Sequence, residues 1–298
     1  MQNPPVRLFD THAHFFTSDT DRYPIDVTGA REGEEAILRR IATRPINDDY
    51  LLALWDRTGV VGGAAVQYNT VYKTDNSYTV AVADAHPDRV SAVLILDAAD
   101  PATPARLRSL AEAHNVTGLR LFGPPDSEGS YPWLDSAAAL DSWEVAASLG
   151  LAMILMYVPG RASPAALGRI VALAKRFPDT VIALDHCGWP DVRPGAEQDI
   201  GPEHRALIEI PNIHFKFTQI NLNRFAEAGV DPARFVRAMV DSYGPGRLMW
   251  GSDVGNTKTG YEEMVAQAIA ATSLLDPEEQ ASVLHDNGRR LFSARVEA

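Results

Sequence analysis

The chain of 298 residues has little of several things, and each shortage narrows what it can be. It has one cysteine, Cys187, so no internal disulfide can form, which fits a reducing cytoplasm. No uninterrupted apolar run approaches the roughly 18 residues needed to cross a bilayer, so no membrane partner is expected. The first ten residues, MQNPPVRLFD, carry neither a basic start nor an apolar stretch, and no export signal is expected from them. Positive charge is scarce: 27 Lys and Arg stand against 39 Asp and Glu, for a net charge of −12. That balance argues against a nucleic-acid partner. It leaves an anionic small molecule open, because local arginines decide such binding. No short repeat or low-complexity tract occurs, and a hydrophobic share of 46% is enough to fill a large core.

What the chain does have is alternation. Eight apolar, β-branched runs occupy 7–14, 60–67, 90–96, 116–122, 151–157, 181–186, 212–218 and 247–254. Helical patterns fall between them, among them 48–58, 79–86, 104–114, 137–149, 163–177 and 232–243. Alternating strand and helix implies parallel strands with crossover helices. Eight such units in one chain favour a closed α/β barrel, a (β/α)8 or TIM barrel, as a single domain over 1–298. Three long segments, 15–47, 123–136 and 187–204, follow strands 1, 4 and 6, on the side where barrels place their sites. They are expected to shape a pocket or lid, or else to serve as decoration or as a contact within a homo-oligomer.

Chemistry-bearing residues sit at those strand ends. Strand 1 closes on Asp10-Thr11-His12-Ala13-His14, and alternation sends His12 and His14 the same way, with Asp10 behind them. Two imidazoles at a barrel mouth can grip a metal or polarise a carbonyl oxygen. Strand 8 ends Trp250-Gly251-Ser252-Asp253, a carboxylate able to bind a metal or take a proton from water, or alternatively to cap a turn. In strand 6, alternation groups Ile182, Leu184 and His186 on the interior face and turns Asp185 and Cys187 outward. Cys187 then reads as a small buried thiol rather than a nucleophile. Strand 7 points His214, Lys216 and Thr218 inward, and a lysine there needs a carboxylate, for which Asp10 is the candidate. Arg120 on strand 4 suits a clamp on a substrate carboxylate or, equally, an ion pair with a neighbouring strand. Trp133, Trp189, Tyr68 and Tyr72 line a pocket or merely pack their loops, and Asn256 and Arg161 follow strands 8 and 5 as further contacts.

Seven segments together carry a resemblance: DTHAHF (10–15), Gln67 with YKTDNS (72–77), GLRLF (118–122), LDHCG (184–188), NIHFKFT (212–218), LMWGSDV (248–254) and NGRRLF (287–292). In this order they resemble the amidohydrolase superfamily, in its amidohydrolase 2 (amidohydrolase-related) branch, which contains the 2-pyrone-4,6-dicarboxylate and sugar-lactone lactonases. The resemblance implies a TIM barrel with His12 and His14 as the strand-1 pair, His186 as the strand-6 histidine and Asp253 as the strand-8 aspartate. Many members use one or two divalent metals to activate water. This chain departs at strand 5, where a histidine ligand is usual and Met156-Tyr157-Val158 stands instead. His12, His14 and Asp253 would remain to hold one zinc or manganese, or the site would work with no metal, as in the 2-pyrone branch. Both lactonase types place a basic residue three positions after the strand-6 histidine; Trp189 stands there.

The resemblance therefore implies a hydrolase that opens a lactone or related cyclic ester, carboxylated in one version. Asp253 would be the base, with His12, His14 and His186 (or their metal) on the oxyanion, and Arg120, Tyr157, Gln67 and Asn76 on substrate. The alternative is metal-dependent, non-oxidative decarboxylation of an aromatic or muconate-type acid, which the missing strand-5 histidine disfavours. A third class, a binding protein on a retired barrel, predicts no turnover and tolerance of change at Asp253.

Overall fold

The structure is a computed structural model that describes residues 6–158 and 163–293. Eight strands follow one another around a sheet in chain order: β1 Leu8–Ala13, β2 Val60–Val66, β3 Val90–Ile95, β4 Val116–Gly123, β5 Ala152–Tyr157, β6 Ile182–Leu184, β7 Ile213–Thr218 and β8 Leu248–Gly251. Every consecutive pair is parallel. The expected (β/α)8 barrel is therefore the fold. Its seam, between β1 and β8, is closed by single contacts rather than a ladder. Ala13 and Val254 form an isolated parallel bridge, Thr11 Oγ1 donates to Trp250 O at 2.7 Å, and Asp253 N donates to His12 O at 2.7 Å. No helix among the described residues is long and apolar enough to cross a membrane.

The helices form where local chemistry starts and stops them. Asp48–Thr58 begins on Asn47, whose side chain accepts from Tyr50 N, and ends on Gly59 at φ 79°, the left-handed geometry glycine adopts at little cost. Pro232–Tyr243 begins on Asp231, which accepts from Ala233 N and Arg234 N, with Pro232 at its first position. The loop over 15–47 carries its own helix, Glu34–Thr43, and is pinned by an antiparallel bridge between Phe16 and Ile46. Arg161, singled out from sequence, lies outside the described residues.

Two apolar layers result. The larger fills the space between barrel and helices. The smaller, inside the barrel, is built from Phe9, Ala64, Val66, Val93, Ala152, Ile154, Ala183, Met249 and Phe292. Its residues are mostly small or slender, which leaves room in the lumen for Arg120, Lys216 and His214, all buried. Phe292 belongs to the helix Asn287–Phe292, which closes the barrel at the end where the strands begin. Asn287 Nδ2 donates to Leu248 O at 2.8 Å and Ser91 Oγ donates to Phe292 O at 2.7 Å, tying the helix to β8 and β3. The NGRRLF segment is thus a structural plug.

A Cβ added at Gly288 would lie 2.6 Å from Thr11 Cγ2 and 2.9 Å from Phe9 Cδ1. Alanine at an exposed helix interior normally gains about 1 kcal/mol over glycine. Here overpacking against β1 opposes that gain, at about 1–3 kcal/mol. Gly288→Ala is expected to lower stability in urea unfolding, and a stabilised variant would show that the plug does not bear on β1.

Candidate active site

The site is assembled where β1, β6 and β8 end. The β1–β2 register shifts between Asp10 and Ala13, and this irregularity turns side chains that plain alternation would leave together. His12 and His14 do come to the same place, with ring centroids 4.9 Å apart and planes nearly perpendicular. Asp10 turns elsewhere. Its carboxylate accepts from Tyr261 Oη at 2.9 Å, Ser252 N at 2.8 Å and His12 N at 3.1 Å, so it braces the seam. It adds to the pull on Lys216, but the lysine's ion-pair contact is Asp185, at 3.7 Å.

At the end of β8, Asp253 sits at φ 55°. That conformation costs roughly 1–2 kcal/mol in a residue with a Cβ, so its surroundings must hold it. Its amide bonds to His12 O, and Asn256 Nδ2 donates to its Oδ1 at 2.7 Å. Gly251 permits the approach: a Cβ there would lie 2.6 Å from His12 Cβ. Asp253 Oδ1 stands 3.1 Å from His14 Nε2 and 3.6 Å from His12 Nε2.

Strand 6 departs most from the sequence reading. Ala183 lies in the inner layer, while Ile182 and Leu184 pack outward among the helices, the reverse of the expected phase. Asp185 therefore points into the barrel. The strand then stops, and His186, Cys187, Gly188 and Trp189 follow at φ 54°, 56°, 67° and 56°. This left-handed turn swings His186 back toward the mouth, 6.0 Å from His12 between ring centroids. Three of the four carbonyls of this turn are met by side-chain donors. Asn221 Nδ2 donates to His186 O at 3.0 Å, His204 Nε2 to Cys187 O at 3.0 Å, and Tyr157 Oη to Gly188 O. Cys187 is fully buried in the outer layer, and burial pushes its thiol far up, so it packs as expected and is no nucleophile.

Asp185 is the residue that sequence reasoning missed. Its Oδ1 accepts from His12 Nδ1 at 3.1 Å and lies 3.7 Å from Lys216 Nζ, while Oδ2 accepts from Arg120 Nε at 2.7 Å. All four side chains are buried. Burial raises the Asp185 carboxyl, but His12, Arg120 and Lys216 outweigh it and hold the group well below the usual carboxylate range. Burial likewise lowers Lys216 to about 8, against the upward pull of Asp185. The lysine also donates to Thr11 O at 2.9 Å. The only sequence signal was an Asp directly before the histidine with Gly188 close behind, a glycine that marks an early end to the strand.

Other expected contacts are spent inside the protein. Gln67 accepts from Thr79 Oγ1 at 2.5 Å and donates to Lys73 O and Asp75 O. Asn76 clasps both backbone groups of Ile95. These two fix the 72–77 loop to β2 and β3 and have no donor left for a substrate. Tyr157 braces the Gly188 turn in the same way. Trp133 and Trp189 donate to Pro124 O and Tyr157 O, and Tyr72 Oη accepts from Thr17 N. Tyr68 stacks on His14 at 4.8 Å. Arg120 has its Nε on Asp185 and Nη2 3.4 Å from Met156 Sδ, yet it also lines a cavity of about 160 Å³ with Asn69, Asp97, Phe122 and Trp133.

The imidazoles are set up as ligands. His12 gives its Nδ1–H to Asp185, and His14 Nδ1 stands 2.8 Å from Val66 O, which can only accept. Both rings thus turn Nε2 toward Asp253, the second-sphere pattern of metal-binding histidines. Burial drives His12 down to about 3 and lowers His186 as well, so these rings are neutral. Burial raises the Asp253 carboxyl, and only a proton or positive charge among His12, His14 and His186 holds it below the usual carboxylate range. His12 Nε2 and Asp253 Oδ2 are buried with no hydrogen-bond partner. Acceptors facing acceptors in a dry site repel unless a cation or a proton lies between them. The donor atoms of His12, His14 and Asp253 lie within 4.8 Å of one another, so these residues could hold a divalent ion.

Comparison with known proteins gives the same outline. The family model described as amidohydrolase matches residues 9–294. An L-fucono-1,5-lactonase of Burkholderia ambifaria is 28% identical over 202 residues, which are 66% of this chain and 66% of the relative. The match thus spans just under two thirds of that protein. A crystallised candidate 2-pyrone-4,6-dicarboxylic acid hydrolase from Pseudomonas putida superposes with a TM-score of 0.69 at 23% identity, covering 99% of this chain and 100% of that one. A manganese-bound dihydroxybenzoic acid decarboxylase from Polaromonas sp. JS666 gives 0.68 at 14% identity, covering 96% of each. At those identities the two structures speak for the fold.

Replacing Asp185 by Asn would leave Arg120 and Lys216 buried without their counter-charge. Breaking such a pair costs about 3–5 kcal/mol. Asp185→Asn is expected to lose stability on that scale in urea unfolding at pH 7; a loss below about 1 kcal/mol would remove Asp185 as the organising charge.

Proposed function

The chain belongs to the amidohydrolase family, and from that premise we propose that it is a hydrolase opening a lactone or related cyclic ester of a small organic acid. The observation that carries the reading is the convergence of His12 Nε2, His14 Nε2 and the Asp253 carboxylate, each imidazole locked into its ligand tautomer from behind. The lactonase relative supports the substrate class.

The unpartnered His12 Nε2 and Asp253 Oδ2 and the borderline nitrogen and oxygen donors fit a divalent cation such as zinc or manganese. When bound, such an ion would polarise the lactone carbonyl and make water acidic enough for so weakly basic a carboxylate to deprotonate. The chain's own residues do the rest. Asp253, ionised at neutral pH, accepts a proton from water as the oxygen adds to the carbonyl carbon. His186, neutral and anchored through Nδ1 to Thr218 Oγ1 at 2.7 Å, offers an N–H toward the oxyanion. The ring C–O bond then breaks, the Asp253 proton passes to the leaving oxygen, and a hydroxy acid is the product. Arg120, with part of its fork on Asp185 and its flank on the cavity, would orient an anionic substituent on the substrate. The substrate partner is thus a small anion, and the lone buried cysteine suits a reducing cytoplasm.

Decarboxylation needs the same cradle and is the competing reading. It is disfavoured by Met156 and Tyr157 where a further histidine would be expected.

Two measurements test the proposal. A panel of carboxylated and sugar lactones, followed by acid release, should show turnover that chelation removes and zinc or manganese restores. Carbon dioxide release from aromatic acids without lactone turnover would replace lactonase by decarboxylase. Asp253→Asn should lose at least about a hundredfold in kcat with KM little changed; near-native turnover would remove Asp253 as the base.

A further inference from the structure

One cavity among the described residues is lined by none of the site histidines. It has a volume of about 860 Å³ and lies between the helix Glu34–Thr43 and the segment 254–261 after β8. Its floor is apolar, with Ile46, Leu54 and Val254 among its walls, and Tyr50 stands half exposed at its edge. Its rim is cationic: Arg39, Arg40, Arg44 and Lys258 stand against one acid, Glu32. On a chain of net charge −12 this is a local reversal of sign.

Pairing within the cavity does not cancel that charge. Arg39 pairs with Glu35 and Arg40 with Glu32, but Arg44 and Lys258 have no ion pair among the described residues. Two further polar atoms on its walls, Arg40 Nε and Thr257 Oγ1, are buried and lack any hydrogen-bond partner. Buried donors left in that state cost free energy unless a ligand or water meets them. Hydrogen bonds and a ring contact link residues of this cavity to the histidine site. Tyr68, stacked on His14, donates to Gly255 O at 2.8 Å and accepts from Arg40 Nη2 at 2.7 Å, and so joins two lining residues to the histidine site.

We propose that this cavity is a second small-molecule site, which takes an organic anion with an apolar body, such as an aromatic or alicyclic carboxylate or sulfonate. The apolar floor buries the body, and Arg44 and Lys258 face its negative group. The proposal stands apart from the lactonase reading, because it needs no turnover.

Binding of anilinonaphthalene sulfonate to the full chain, followed by fluorescence, tests it, with uncharged phenylnaphthylamine as the control body. Saturable one-to-one binding of the sulfonate is expected, with the neutral dye at least about tenfold weaker. The double variant Arg44→Ala, Lys258→Ala should lose about tenfold in sulfonate affinity and none for the neutral dye. Ala36→Trp, an exposed position on the wall, should block both dyes while leaving the Tm unchanged. Equal affinity for the two dyes, or sulfonate binding unaltered in either variant, overturns the proposal.

Discussion

One buried carboxylate organises the centre of this barrel. Asp185 receives His12 Nδ1, Arg120 Nε and the charge of Lys216 in a place that water does not reach. A single anion among two cations and a neutral ring is tolerable only because each partner also serves the other side. Lys216 is tied to Thr11 O, and Arg120 reaches toward Met156. The consequence for chemistry is indirect and decisive. Because Asp185 takes the Nδ1 proton of His12, the lone pair of that ring must lie on Nε2, which faces Asp253. The tautomer of the first histidine is thus set on strand 6, not on strand 1.

The same strand end shows how strain is held at a site. Four successive left-handed residues, three of them with side chains, would unwind in an isolated peptide. They persist because Asn221, His204 and Tyr157 each bond one of the carbonyls that the turn exposes. The turn delivers two adjacent residues, Asp185 and His186, to one site, which a regular strand cannot do. Asp253, also left-handed, obeys the same logic on β8, held by His12 O and Asn256. Tyr157, Gln67 and Asn76 are therefore better understood as braces of the site's scaffold than as hands on a substrate.

Electrostatics separates the histidine site from the cavity beside it. The inner site converges imidazole nitrogens and a carboxylate, a set that attracts cations. The outer one is lined by guanidinium and ammonium groups that attract anions. Tyr68 links them, stacking its ring on His14 and taking the Arg40 guanidinium on its hydroxyl.

By itself the sequence determined what depends on periodicity and local chemistry. The eight strands, the capped helices such as Asp48–Thr58 and Pro232–Tyr243, the inward face of β7 and the meeting of β1 with β8 all follow from patterns repeated over several residues. The chemistry-bearing trio His12, His14 and Asp253 was readable because strand ends of a parallel barrel converge by topology. Tertiary structure alone decided where alternation breaks. The phase of β6, the partner of Lys216, the outward turn of Asp10 and the engagement of Gln67 and Asn76 depend on a register shift, a left-handed turn and donors from distant elements. The reason is physical: one shifted residue reverses every side chain beyond it. The hydrogen bonds that stabilise such a shift join residues as far apart as Asp10 and Tyr261.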